Sequence, residues 1–136
     1  MTGCADRGSS LIQLDSLYVP SMGHGFADWY ERFYKTHPEY FALQPDGSRG
    51  GSEEKPKTAK ICESNPAVWE QWIKDVEKTL EKNPHKTIFN AAANDSFATG
   101  HCVCEECRKW DDPSAEPKNW LYGKVGKIKG VALSDR

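Results

Sequence analysis

No run of apolar residues approaches the ~20 needed to cross a bilayer as a helix, so nothing in the chain reads as a membrane span. Lysine and arginine never gather into a run or a stripe. The formal net charge is −2 and the isoelectric point about 6.1, which speaks against nucleic acid as the main partner. The opening MTGCADRGSS lacks a charged n-region followed by an apolar h-region; no signal peptide is visible, and the compartment stays open. Repeats, low-complexity tracts and an internal linker are all missing. The 136 residues therefore read as one domain, 1–136, and as an incomplete one.

What the chain does have is aromatic residues and cysteine. Five Trp, five Tyr and five Phe supply material for a core, and 28% charged residues fit a globular surface. Five cysteines, Cys4, Cys62, Cys102, Cys104 and Cys107, are many for this length, and the number is odd. In a reducing compartment such density favours metal, in an oxidising one disulfides.

Along the chain, Leu11 to Val19 alternate enough for a strand, and SMGHGF is a Gly-rich turn carrying His24. Phe26, Trp29, Tyr30, Phe33 and Tyr34 fall at helical spacing, in a helix expected to stop near Thr36 because His37 precedes Pro38. EYFAL reads as a short strand, QPDGSRG as a turn, and residues 44–60 as an exposed loop. The clearest helix follows Ser64 or Asn65 as N-cap, with Pro66 in its first position. Val68, Trp69, Trp72, Ile73, Val76 and Leu80 form its apolar stripe. Residues 87–93 are apolar and small, as in a buried strand of a parallel sheet. EECRKWD suggests one helical turn, and 111–127 a loop. The class these elements give is α/β, a few parallel strands with flanking helices.

Two sets of residues carry candidate chemistry. Asn94 and Asp95 follow the expected strand, where parallel α/β proteins keep their reactive groups; there Asp95 would serve as acid, base or substrate-orienting carboxylate. The same dipeptide is also ordinary turn chemistry. His24, between two glycines that permit close backbone approach, is either a ligand contact or an exposed turn residue. In Cys102-Val103-Cys104 the two thiols share one side of an extended chain, and Cys104-Glu105-Glu106-Cys107 has the spacing of a metal knuckle. Cys62 would complete a tetrahedral four-thiolate set, with His101 as a spare ligand. Two disulfides are the rival reading, and reduced thiols without a role a third. A thioredoxin-like redox site fits poorly, because two Glu between the thiols raise their pKa values.

Three segments in order, GHGFADWYERFYKTHPEYFALQPDGSR, CESNPAVWEQWIKDVEKTLEKNP and NDSFATGHCVCEECRKWD, resemble the bacterial family called domain of unknown function 4838. The likeness covers roughly residues 22–112, and VALSDR resembles the family's approach to its next helix, extending the family-like region to 136. The resemblance implies part of a (β/α)8 TIM barrel like those of glycoside hydrolases, with carbohydrate as substrate. His24, Asn94, Asp95 and the four cysteines match family positions. SFATGH stands where the family often has a glycine-rich stretch. A full barrel needs ~250 residues, so the chain is expected to be a fragment without hydrolase activity alone, while a full-length member is compatible with export. A zinc- or disulfide-stapled structural module without catalysis is the alternative.

Overall fold

Residues 23–50, 59–94, 100–122 and 126–130 are described by the structure, a computed structural model. The first aromatic segment forms helix α1, Trp29–Phe33, continued by turns to Thr36. It ends where the proline places the end: His37 has φ −137° and ψ 61°, outside the α region that Pro38 denies it. Pro38–Tyr40 then make one 3-10 turn. The expected EYFAL strand is reduced to two isolated antiparallel bridges, Phe41 with Ile61 and Leu43 with Arg49.

Residues 44–60 are more than an exposed loop at their two ends. Gln44, Gly50 and Ala59 are buried, because the Gly50 amide returns to the Ala42 carbonyl and the Ala42 amide to the Lys60 carbonyl. Gly50 adopts φ +80°, and an added Cβ there would meet the Phe41 side chain at 3.0 Å and the Tyr30 ring at 3.2 Å.

Helix α2, Pro66–Lys82, forms as its signals dictate: the Asn65 side chain accepts the Ala67 amide at 3.0 Å and Pro66 occupies the first turn. Of the two cap candidates, Asn65 takes the role and Ser64 does not. Val68 is fully buried, and with Phe26, Trp29, Tyr30, Tyr40, Phe41, Ala59 and Ile61 it makes the main core, edged by Phe33, Tyr34, Ala67 and Trp72. Phe26 meets Trp29 edge-on at 4.9 Å, the arrangement ring quadrupoles favour. The stripe is wider than the described core: Trp69 is 36% exposed and Ile73 50%. Arg32 joins the two helices through Asp75 at 2.8 Å.

Residues 87–94 run without helix or ladder, and among the described residues they pair with no strand. They lie along the turn before α1 instead. The Gly25 amide donates to Ala92 O at 2.9 Å, the Asn90 side-chain amide donates to Gly23 O, and Trp72 Nε1 donates to Asn90 O at 3.3 Å. Past a short helix α3, Glu105–Arg108, the chain makes an antiparallel pair, β1 Lys118–Tyr122 and β2 Gly126–Gly130, with Trp120 opposite Ile128. β1 and the first two residues of β2 fall within 111–127, where the sequence reads as loop. Gly and Lys have weak strand preference and hide the pairing.

Candidate metal centre

The second buried cluster is built around sulfur: Ala42, Cys62, Cys102 and Cys107, with Leu43 and Cys104 against it. Backbone pairing explains the convergence. Cys62 follows the Phe41–Ile61 bridge, its amide donating to Tyr40 O at 2.8 Å, so its side chain faces the Ala42 side. Val103 donates to Leu43 O at 2.9 Å, which lays the Cys102–Cys104 stretch along the same segment. Cys104 then caps α3, its sulfur accepting the Cys107 amide at 3.5 Å, and one turn on Cys107 faces back to it. Four thiols from three segments thus meet behind residues 41–43.

All four sulfurs lie within 4.8 Å of one another. From Cys62 Sγ the separations are 3.6 Å to Cys102, 3.7 Å to Cys104 and 4.0 Å to Cys107. Ligands about 2.3 Å from a tetrahedral ion stand about 3.8 Å apart, and the three separations from Cys62 lie near that value. It is much longer than the ~2.05 Å of a disulfide, and these four cysteines are unbonded. The group can hold a metal ion. Its surroundings suit one: Cys102 Sγ accepts the Leu43 amide at 3.2 Å, Cys104 Sγ accepts the Cys107 amide, and three of the four thiols are buried.

The thiols divide in acidity. The Cys102 S–H directed at Cys62, helped by Ser64, Cys104 and Cys107, holds the Cys62 thiol well below its ordinary value despite burial. Giving that hydrogen bond, and burial, push Cys102 up. Burial raises Cys107 as well. Burial also opposes ionisation of Cys104, but the Cys107 amide and Ser64 outweigh it and bring the thiol down.

The sequence names all four cysteines of the group and misses one neighbour. Ser64 Oγ stands 3.0 Å from Cys107 Sγ, 3.6 Å from Cys104 and 3.7 Å from Cys62. Its position two residues after Cys62 was the available signal. His101 is buried but outside the four-sulfur group, and Cys4 lies outside the described residues.

Asn94 and His24 are not gathered at this centre. Asp95 lies outside the described residues. Asn94 is 2% exposed, and its amide nitrogen donates to Phe26 O at 3.2 Å and Ala59 O at 2.7 Å, fastening three segments together. His24 is exposed, with Nδ1 3.1 Å from Ala93 O. The close approach that Gly25 permits is made by the chain itself: an added Cβ would stand 2.4 Å from Asn90 O.

The family model described as "Domain of unknown function (DUF4838)" matches residues 7–128. No curated protein and no solved structure matches the chain.

Proposed function

The chain belongs to the DUF4838 family, and on that footing we propose that its cysteine group is a structural zinc site. The observation that carries this reading is the tetrahedral spacing of four thiols that supply a complete ligand set. Four protein thiolates leave no position for water or substrate, which is the pattern of a structural ion rather than a catalytic one. Sulfurs this close enclose one ion and leave no room for an iron–sulfur cluster; among single ions, zinc suits four soft ligands in a redox-silent staple. The bound zinc would supply a cross-link and no chemical step. Cys62 would anchor it beside α2, Cys102 and Cys104 along residues 41–43, and Cys107 on α3. Elemental analysis of the purified chain is expected to give one zinc per chain, absent in Cys62→Ser. Stoichiometric iron would reassign the ion, and metal-free protein lighter by ~4 Da than its reduced form would replace it with two disulfides.

A second reading concerns what the staple holds in place. In a complete (β/α)8 barrel Asp95 would act on carbohydrate as acid, base or orienting carboxylate, with Asn94 and His24 beside it. The support is the His24 ring at the Ala93 carbonyl, exposed and next in sequence to Asn94-Asp95. Burial of Asn94 favours a positioning role for it over direct sugar contact. Glycoside hydrolysis uses two carboxylates about 5–10 Å apart, and only Asp95 is a candidate here. The isolated 136-residue chain is accordingly expected to show no glycosidase turnover; turnover that disappears in Asp95→Asn would contradict this.

A further inference from the structure

We infer that Ser64 is a positioning residue of the metal centre, its hydroxyl covering one face of the sulfur tetrahedron and donating to the bound thiolates. The inference rests on the metal reading above and goes beyond it, since Ser64 is not a ligand.

Three distances place it. An oxygen 3.0 Å from Cys107 Sγ, 3.6 Å from Cys104 Sγ and 3.7 Å from Cys62 Sγ touches three of the four sulfurs, so it sits over the face those three define, away from Cys102. No competing task explains this placement. The cap of α2 belongs to Asn65, which accepts the Ala67 amide and donates to Glu39 O at 3.0 Å. Ser64 lies in the turn between Cys62 and that cap, so the chain that delivers one ligand also delivers the hydroxyl.

Backbone amides already serve three of the sulfurs: Leu43 and Cys104 at Cys102, Cys107 at Cys104, and Ser64 itself at Cys107. The Ser64 hydroxyl adds a side-chain partner at both Cys62 and Cys107. In the metal-free chain the Cys107 S–H points at Ser64 Oγ. When an ion binds, each ligand thiol gives its proton to solvent; the serine O–H rotates and donates to sulfur, with no bond made or broken at Ser64. The hydroxyl then spreads part of the excess negative charge of four thiolates around a divalent ion. It also occupies the face through which a fifth ligand or an electrophile would arrive. Outer partners of this kind are worth about 10–100-fold in metal affinity.

Cobalt(II) titration reads the effect directly, because its thiolate charge-transfer bands report the ligands. Wild type is expected to show the spectrum of a tetrahedral four-thiolate site. Ser64→Ala should keep four-sulfur coordination, bind about 10-fold more weakly, and move the charge-transfer band to lower energy, since a thiolate that loses a donor gives up charge more readily. Ser64→Thr, which keeps the hydroxyl, should restore most of both. Asn65→Ala serves as a structural control: it weakens the α2 cap by about 1 kcal/mol and should leave the band in place. If Ser64→Ala matches wild type in band position and affinity, or if Asn65→Ala shifts the band equally, the role assigned to Ser64 is wrong while the metal site stands. A wild-type chain with no four-thiolate cobalt spectrum would remove the metal site itself, and the inference with it.

Discussion

One equivalent of Zn2+ added to metal-free, reduced chain is expected to raise its thermal midpoint by roughly 10 °C or more, and Cys62→Ser to abolish the rise. A ligand that binds only the folded chain adds about 4 kcal/mol at a thousand times its dissociation constant, and in a domain of this size each kcal/mol moves the midpoint by several degrees. Cys62 is the decisive ligand because the other three fall within residues 102–107. It alone carries the cross-link back 40 residues to the start of α2. Without it the ion would hold a six-residue loop to itself, and the chain between would regain its freedom. Acid should act in the same direction. Ligand thiols must be deprotonated, so the metal-free form holds more protons, and lowering pH favours it; the zinc-dependent increment should shrink as pH falls. Calorimetry with and without chelator across pH checks both expectations. An unchanged midpoint in chelator at neutral pH would count against a structural ion.

Gly25→Ala is the second substitution with a large expected cost, about 3 kcal/mol or more. The new methyl would stand 2.4 Å from Asn90 O, 3.0 Å from Asn90 C and 3.1 Å from Ala91 Cα, all backbone atoms that no rotamer change can move. Overpacking alone costs about 1–3 kcal/mol. Here it would also separate the Gly25 amide from Ala92 O and the Asn90 side chain from Gly23 O. The loss should be visible as a lower urea midpoint and as faster amide exchange at Gly25. Gly47→Ala makes a useful comparison: its Cβ would meet nothing within 4 Å, so the cost there comes only from φ +84°. A Gly25→Ala chain no less stable than Gly47→Ala would mean that residues 90–92 do not lie against this turn.

The parts of the structure that could be read in the sequence are those with local causes. Asn65-Pro66 fixes the start of α2, Pro38 fixes the end of the α1 region, and the Cys104–Cys107 spacing fixes the turn that pairs them. The four clustered cysteines were legible because three of them fall within six positions of the sequence. Features decided by long-range partners were harder to see. Residues 87–94 have the composition of a buried strand, yet their described long-range hydrogen bonds go to the turn at 23–26, to Ala59 and to Trp72, none of them a strand. Trp69 and Ile73 complete a stripe that suits a core, but exposure depends on what packs there, and the described neighbours cover Val68 and Trp72 instead. Ser64 looked like a cap because serine caps helices well; Asn65, one residue nearer the helix, left it for the sulfurs.

Helix α3 spans only four residues, far below the length at which a helix sustains itself in water, since the first turn costs more backbone entropy than its few hydrogen bonds return. Its cap and its inward residue are Cys104 and Cys107, two corners of the sulfur tetrahedron. An ion held between them would impose the separation that the first turn has to find by chance, acting as an inorganic nucleus for the helix. With an ion bound there, the winding of residues 105–108 would be expected to resist heating longer than in the metal-free chain.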